Sequence, residues 1–262
     1  MVNYETLCAK VVEITRVTGQ FILNEAQRFD SSSIEYKGLN DLVSYVDKQA
    51  EQQLVEKLSQ LLPNSGFITE EDTVDTLGEV FTWIIDPLDG TTNFIHGIPT
   101  FSVSIALYEY NKPVIGVVYE INRDEMFYTF KGGLAFLNGK QIQVSKNSNL
   151  SQCLLATGFP YYQFDKQQQY IQLFTDMMKQ CHGLRRLGSA AVDLAYVACG
   201  RFDGYFEYNL NAYDVAAGAF LVQQAGGEIF NFSGGEEFIE RREVVATNGL
   251  TSKEILTTIN KY

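Results

Sequence analysis

The chain has 262 residues, 45% of them hydrophobic, and a formal net charge of −12. This composition excludes a disordered chain and is enough to bury one large core or two modest ones. The negative charge argues against a general nucleic-acid-binding surface, which needs basic patches. The N-terminus has no signal-peptide pattern, no long apolar run indicates a membrane span, and the four cysteines are scattered. We therefore expect a cytoplasmic protein with free thiols and no membrane contact.

Hydrophobic periodicity predicts alternating helices and strands in the first half of the chain. Residues 4–29 have the pattern of an amphipathic helix, and a polar link follows over 30–36. A second helix is predicted from Gln49, and Phe67–Thr69 reads as a short strand. Residues 101–145 contain strand patterns separated by turn signals, which predicts an antiparallel meander.

The second half also mixes strands and helices, without an internal repeat or a low-complexity linker. We predict strands over 153–157, 202–206, 228–230 and 244–247, and helices over 170–178, 192–199, 214–222 and 251–260. The chain is therefore expected to form two packed sub-domains, residues 1–145 and residues 146–262, that are not independent of each other.

The strongest chemical signal follows a buried strand predicted over Phe81–Ile85. The next five residues, Asp86-Pro87-Leu88-Asp89-Gly90, predict a tight turn, because Asp favours the first turn position and Pro pre-sets φ at the second. Such a turn brings Asp86 and Asp89 to the same side. Gly90 lacks a Cβ, which lets the backbone approach a ligand closely.

Donors and acceptors of other kinds surround these two carboxylates. The turn exposes the Leu88 carbonyl, and Thr91, Thr92 and Asn93 are good N-caps for a short helical turn with free N–H groups. Carboxylate and carbonyl oxygens suit Mg²⁺, Mn²⁺ or Ca²⁺, whereas N–H groups suit phosphate. The combination suggests metal-assisted phosphoryl chemistry, in which the cations would offset the negative charge of the chain. A plain surface turn is the alternative explanation.

Five further sites carry a functional and a structural interpretation each. Glu70 ends a short strand and is a credible third metal ligand, although an acidic run also fits a solvated loop. Asp47 and Asp214 both sit at predicted helix starts, where Asp is ordinarily a cap. The segment Gly188-Ser189-Ala190 is either a capped helix start or a set of N–H groups for a substrate hydroxyl or phosphate. Glu207 could accept hydrogen bonds from substrate hydroxyls or lie on the surface.

Two segments together resemble the signatures of the inositol monophosphatase family. The residues W-I-I-D-P-L-D-G-T-T-N-F at 83–94 are similar to the first signature, and A-Y-D-V-A-A-G at 212–218 is similar to the second. Their order and spacing match over essentially the whole chain. The resemblance implies a layered α-β-α-β-α sandwich of the mixed α+β or α/β class, usually a homodimer, and a Mg²⁺-dependent phosphomonoesterase that hydrolyses inositol monophosphate.

The resemblance also implies roles for individual residues. Two or three Mg²⁺ ions would be held by Glu70, Asp86, the Leu88 carbonyl, Asp89 and Asp214. Asp47 would orient Thr91, which with Glu70 would activate the attacking water. Substrate contacts would come from Leu88, Asp89, Gly90, Thr91, Thr92, Gly188, Ser189, Ala190, Glu207 and Asp214.

One departure from the family pattern weakens a strict preference for inositol. Asn211, Ala212 and Tyr213 stand where family members often have other residues, including a Trp before the metal-binding Asp. Fructose 1,6-bisphosphate and adenosine 3′,5′-bisphosphate are therefore alternative substrates within the same superfamily. A non-catalytic, metal-binding regulatory protein is an alternative from another class, and nucleic-acid binding is not expected.

Overall fold

The computed structural model describes residues 2–29, 34–38, 41–71, 73–74, 76–159 and 167–262, with only the backbone described for 34–38 and 41–43. Residues 30–33 of the predicted polar link lie outside these ranges. None of the helices within them is both long and apolar enough to cross a membrane. Cys8, Cys153, Cys181 and Cys199 are free thiols.

Helices and strands occur throughout the described residues. The helices are α1 (Tyr4–Ala26), α2 (Tyr45–Leu61), α3 (Thr91–Ile95), α4 (Gln167–Gln180), α5 (Ala190–Ala198), α6 (Ala212–Gln224), α7 (Phe238–Arg241) and α8 (Ser252–Ile259). The strands are β1 (Ile34–Gly38), β2 (Asp41–Ser44), β3 (Gly66–Thr69), β4 (Phe81–Asp89), β5 (Ser102–Glu109), β6 (Lys112–Glu120), β7 (Glu125–Phe130), β8 (Phe136–Leu137), β9 (Lys140–Gln141), β10 (Leu154–Thr157), β11 (Gly183–Arg185), β12 (Gly204–Tyr208), β13 (Glu228–Phe230) and β14 (Glu243–Thr247). The predicted antiparallel meander corresponds to β5, β6 and β7, with β8 and β9 added at its edge.

The larger sheet has the strand order β3-β4-β5-β6-β7-β8-β9. Only its β3–β4 pair is parallel. Alternate residues of a strand point to opposite faces, and β4 shows this clearly. Trp83 and Ile85 pack in the cluster formed by α1 and α2, whereas Ile84 packs in the cluster formed by α5 and α6. The sheet is therefore covered by helices on both faces.

The smaller sheet has the strand order β11-β10-β12-β14-β13 and is covered in the same way. On β12, Tyr205 belongs to the cluster of α5 and α6, and the next residue, Phe206, belongs to a cluster with α4 and α8. The layers thus run from α1 and α2 through the larger sheet, α5 and α6, and the smaller sheet to α4 and α8. This arrangement confirms the predicted sandwich of two sheets and three helical layers.

The middle layer is packed closely because its residues are small. A Cβ on Gly218 of α6 would lie 2.5 Å from Leu194 Cβ on α5, and a Cβ on Gly116 of β6 would lie 2.9 Å from the Ala217 carbonyl oxygen. Only glycine fits at such approaches. The close packing fixes the N-terminal ends of α5 and α6 relative to β4.

The two sheets fall on either side of residue 145, as the predicted sub-domain boundary requires, but one core joins the halves. The cluster around α5 and α6 contains Ile84 and Val118 from the larger sheet as well as Tyr205 and Ala246 from the smaller sheet. The division into residues 1–145 and 146–262 therefore stays a prediction about sequence segments.

Three local predictions were wrong in their boundaries. The strand predicted to end at Ile85 continues to Asp89, because Asp86 and Asp89 pair with Ser104 and Ser102 on β5 across an irregularity in register. The helix predicted from Gln49 begins at Tyr45. Strand β1 begins inside the predicted polar link and pairs with β2. The two strand differences come from pairing with a neighbouring strand, and the helix difference comes from the capping box that Ser44 and Asp47 form at the start of α2.

Candidate functional site

The candidate site lies where the end of β4 meets the N-terminal ends of α5 and α6. Gly90 follows β4 with φ of +97°, a conformation that suits glycine, and it precedes α3. A Cβ on Gly90 would lie 3.2 Å from the carbonyl oxygen of Gly188, which itself precedes α5. Asn93 holds the two segments together, since its Nδ2 donates to the carbonyl oxygens of Thr100 and Leu187 at 2.7 and 2.8 Å. The signature at 83–94 and the segment at 188–190 therefore form one site.

The predicted turn takes the form of an irregularity at the end of a strand. The Leu88 N–H donates to Asp86 Oδ1 at 3.0 Å, which fixes the carboxylate against its own backbone. Asp86 is 1% exposed and Asp89 is 9% exposed. The helix after Gly90 begins at Thr91, and its N-cap is Gly90, which makes no side-chain capping bond. The interpretation of Thr91, Thr92 and Asn93 as side-chain caps was therefore wrong.

Asp47 is not the N-cap of α2, which was its predicted structural role, but it takes part in the capping of that helix and also contacts Thr91. Its Oδ2 accepts hydrogen bonds from the Ser44 N–H at 2.9 Å and the Ser44 hydroxyl at 2.6 Å, so it completes the capping box of α2 with Ser44 as the N-cap. Its Oδ1 lies 2.9 Å from Thr91 Oγ1, which is also 3.0 Å from the Leu88 carbonyl oxygen. The helix cap thus presents one free carboxylate oxygen to the Thr91 hydroxyl.

Glu70 is placed by a residue that the sequence did not single out. Glu51, buried on α2, accepts from the Glu71 N–H at 2.8 Å and from the Thr73 N–H and hydroxyl at 3.0 and 2.6 Å. These bonds hold the loop that follows β3. Glu70 hydrogen-bonds Asp86 through its side chain, and its buried Oε2 has no partner in the described structure. The solvated-loop interpretation of this acidic run therefore does not hold for Glu70.

Asp89, at the end of β4, and Asp214, in the first turn of α6, each accept hydrogen bonds at the start of a helix in the middle layer. Asp89 Oδ2 accepts from the Ser189 hydroxyl at 2.6 Å and from the Ala191 N–H at 2.7 Å, and Ser189 is the N-cap of α5. Asp214 Oδ2 accepts from the Asn211 N–H at 2.6 Å in the capping box of α6. Helix N-termini stabilise negative charge, which partly offsets the cost of burying both carboxylates.

The carboxyl groups at this site interact electrostatically. Burial, followed by the nearby Asp214 carboxylate, raises the pKa of Glu70 well above its usual value. Burial and the charges of Glu70, Asp89 and Asp214 do the same to the pKa of Asp86. Burial raises the pKa of Asp89 to about 6, and burial together with Asp89 raises the pKa of Asp214 to about 8. The cluster therefore binds protons, or other cations, more readily than isolated carboxylates do.

The donor set suits hard divalent cations, which prefer carboxylate and carbonyl oxygens. The unpartnered Glu70 Oε2 is the kind of buried acceptor that a cation would satisfy. Within the described ranges, no group of three or more His, Cys, Asp or Glu side chains is arranged so that it could hold a metal ion.

A polar cavity opens beside the carboxyl cluster. Its lining includes Asp89, Ser189, Glu207 and Asp214, all of which the sequence predicted as site residues. Glu207 lies on β12, and its Oε2 accepts from the Tyr205 hydroxyl at 2.5 Å. Burial raises the pKa of Glu207 to about 7. Glu207 therefore does not lie on the open surface, which was the alternative interpretation; its side chain lines the cavity.

Most of the predicted site residues lie in one region of the described structure. The carboxyl groups, Thr91 and the Gly188-Ser189-Ala190 segment share one region, while the Thr92 side chain is exposed. The sequence did not predict Glu51 or Tyr205, nor Asp193 of α5, which also lines the cavity. A local signal existed only for Tyr205, two residues before Glu207 on the same face of a strand.

Comparisons with known proteins agree with this picture. The model of the inositol monophosphatase family matches residues 3–262. A Nus factor SuhB from Pseudomonas aeruginosa is 42% identical over 252 residues, covering 94% of this chain and 93% of that protein. An inositol-1-monophosphatase from Mesorhizobium japonicum is 37% identical, covering 96% and 95%. The crystal structure of the extragenic suppressor protein suhB from Bartonella henselae matches with a TM-score of 0.91 at 36% identity, covering 97% and 98%.

The raised pKa values predict how stability depends on pH in EDTA, without divalent cations. An unfolded Asp has a pKa of about 4. The folded cluster, with the pKa of Asp89 at about 6 and that of Asp214 at about 8, binds more protons between these values. The free energy of unfolding should therefore fall as pH rises from 5 to 8. In Asp214→Asn this fall should be smaller by on the order of 1 kcal/mol or more, since one pKa unit corresponds to about 1.4 kcal/mol.

Chemical denaturation at pH 5 and pH 8 measures this difference. Asp124→Asn is a matched control, because the Tyr119 hydroxyl and Arg16 lower the pKa of exposed Asp124 and its titration ends below the window. In this control the free energy of unfolding should fall between pH 5 and pH 8 by as much as it does in wild type. An equal fall in wild type and Asp214→Asn would contradict the account.

Proposed function

Because the chain belongs to the inositol monophosphatase family, we propose that it is a Mg²⁺-dependent phosphomonoesterase that hydrolyses a polyol monophosphate, with inositol monophosphate as the leading substrate. The observation that carries this proposal is the contact of Thr91 Oγ1 with Asp47 Oδ1, directly beside the buried cluster of Glu70, Asp86 and Asp89. It combines a proton acceptor with a set of oxygen ligands for cations.

The metal ligands in this proposal are the side chains of Glu70, Asp86, Asp89 and Asp214 and the carbonyl oxygen of Leu88. Two or three bound Mg²⁺ ions would supply Lewis-acid polarisation of the phosphate and a water of lowered pKa. The side chains contribute the negative charge that concentrates cations at this site. That local reversal of charge allows an anionic ester to approach a chain with a net charge of −12.

The Thr91 hydroxyl is proposed to relay the proton of the attacking water. Thr91 has a single hydroxyl proton, and donating it to Asp47 Oδ1 leaves the lone pairs of Oγ1 free to accept a proton from water. Burial raises the pKa of Asp47, which makes its carboxylate a better proton acceptor. Ser44 fixes the other carboxylate oxygen, so Oδ1 is held in place for this transfer. Glu70 is proposed to help position the water.

Phosphate and leaving group would occupy adjacent parts of the site. The backbone N–H groups of Gly90, Thr91 and Thr92 are proposed to hold the phosphate oxygens at the start of α3. The cavity lined by Asp89, Ser189, Glu207 and Asp214 would take the leaving group. Gly188 and Ala190 complete this contact set. A cavity with so many hydrogen-bonding groups favours an alcohol with several hydroxyls over an apolar one.

The proposed setting is a cytoplasmic homodimer that does not bind nucleic acid or membranes. The net charge of −12 supports the absence of nucleic-acid binding, since a surface that binds nucleic acid non-specifically is basic. A mobility-shift assay over a range of salt concentrations would test it. Retarded nucleic acid at low salt that is released at high salt would contradict the proposal.

A second function has its own support. Several relatives with 37–42% identity are named Nus factor SuhB, a name that refers to no hydrolysis. This chain could therefore act as a Nus factor, either besides catalysis or in its place, as a regulatory protein that keeps the fold. Retained catalysis is favoured because a protein without catalytic function has no need of the whole set, which is complete here: Asp47, Glu70, Asp86, Asp89, Thr91 and Asp214.

Phosphate release from a panel of esters, with and without Mg²⁺, tests the proposed function. The panel contains inositol 1-phosphate, fructose 1,6-bisphosphate, adenosine 3′,5′-bisphosphate and glycerol 2-phosphate. We expect Mg²⁺-dependent turnover that is fastest with inositol 1-phosphate. Faster turnover of one of the bisphosphates would replace the substrate assignment, and no turnover of any ester would favour the regulatory function.

Variants of two neighbouring threonines distinguish loss of the proton relay from general damage to the site. Thr91→Ala removes the hydroxyl that contacts Asp47 and should lower kcat by about a hundredfold or more, a typical contribution of general acid–base catalysis. Thr92→Ala keeps its backbone N–H and loses an exposed side chain, so its loss should be far smaller. Equal losses in the two variants would contradict the relay.

A further inference from the structure

Asp193 is a buried acid in the leaving-group cavity for which the proposed mechanism gives no role. It lies on α5 and is 1% exposed, and its Oδ1 has no hydrogen-bond partner in the described structure. It nevertheless lines the same cavity as Glu207 and Asp214. A buried polar atom without a partner is costly and rare, so its position calls for an explanation.

Helix capping does not explain this residue. The start of α5 already has two other acceptors, because Asp89 accepts the Ala191 N–H at 2.7 Å and the Ser189 hydroxyl accepts the Val192 N–H at 3.3 Å. Packing does not explain it either, since the neighbouring residues of α5 are apolar and buried. An apolar side chain of similar size would serve the core of this helix better.

The groups around Asp193 leave its carboxyl available to a ligand. The charged groups that act on it are Glu207 on β12, Asp89 on β4 and Arg186 before α5. Glu207 is already held at Oε2 by the Tyr205 hydroxyl. Two acids from different secondary-structure elements, α5 and β12, therefore face one cavity without bonding each other.

We propose that Asp193 is a specificity-determining residue of the leaving-group cavity, where its carboxyl binds one hydroxyl of the polyol while Glu207 binds another. This inference rests on the proposed phosphatase function and refines it. A hydroxylated leaving group that binds against the cavity-lining side of Asp193 would give its carboxyl the hydrogen-bond partner that it lacks. A leaving group without hydroxyls would leave both acids unpaired, and sites of this type reject such analogues strongly.

The charge state of the residue is compatible with this role. Burial and the nearby Glu207 raise the pKa of Asp193 well above its ordinary value. A protonated carboxyl has one O–H donor and keeps acceptor capacity, so it can pair with a hydroxyl in either direction. An asparagine of the same shape has both capacities as well.

The test compares phosphate esters whose leaving groups all contain a six-membered ring but differ in whether that ring has hydroxyls. We would measure kcat/KM with Mg²⁺ for inositol 1-phosphate and for two esters without hydroxyls, cyclohexyl phosphate and p-nitrophenyl phosphate. Asp193→Leu and Asp193→Ala should lower kcat/KM for inositol 1-phosphate about tenfold or more. Their values for the two other esters should change much less, and Asp193→Asn should restore most of the loss.

Each result has a defined meaning. Equal losses for all three esters, or full activity of Asp193→Leu on inositol 1-phosphate, would overturn the role of Asp193. If Asp193→Leu and Asp193→Ala fail to fold, Asp193→Ser decides, because it keeps a small polar side chain but lacks the carboxyl. Its ratio of kcat/KM for inositol 1-phosphate to that for cyclohexyl phosphate should fall about tenfold, and an unchanged ratio would contradict the proposal. Wild-type protein without Mg²⁺-dependent turnover of any ester would instead refute the proposed phosphatase function.

Discussion

The burial of several neighbouring carboxylates is the constraint on which the rest of the site depends. Burial raises the pKa of Glu70, Asp86, Asp89 and Asp214, and neighbouring carboxylates add to this rise for Glu70, Asp86 and Asp214. Such a cluster is unfavourable unless protons or cations neutralise it. The fold holds Asp86, Asp89 and Asp214 with backbone N–H donors along a strand end and at helix N-termini, whereas Glu70 is held by its side-chain contact with Asp86. The resulting need for positive charge is what makes the region suitable for metal-assisted chemistry.

The architecture explains why these groups meet although they are far apart in sequence. Strand β4 carries two of the acids to its end, and the closely packed middle layer directs the starts of α5 and α6 to the same place. Glycines at 90 and 188 allow the backbone segments to approach each other. Changes in the small residues between α5 and α6 would therefore act on the site through the positions of the helix ends, without touching a ligand.

Sequence reasoning succeeded where the signal is local and failed where it is tertiary. Asp86 and Asp89 are recognisable from three residues of spacing and a proline, whereas the layered fold was expected only from the family resemblance. Glu51 could not be predicted, because it acts on a loop about 20 residues away through hydrogen bonds that exist only in the folded chain. The end of β4 was mistaken for a free turn because its pairing with β5 determines the register. In the sequence nothing distinguishes Asp193 from the other residues of its predicted helix. In the structure it is distinguished by its Oδ1 atom, which has no hydrogen-bond partner.

Bound cations should offset the cost of burying these neighbouring carboxylates. We would test this by measuring the unfolding temperature at pH 8 as Mg²⁺ is titrated into wild type, Asp86→Asn and the control Asp176→Asn, whose partly exposed side chain lies on α4. A ligand that binds only the folded state raises stability with its concentration. The account predicts that Mg²⁺ raises the unfolding temperature of wild type and of the control, and that Asp86→Asn loses most of this rise. An unfolding temperature of wild type that does not respond to Mg²⁺, or an equal rise in Asp86→Asn, would contradict it.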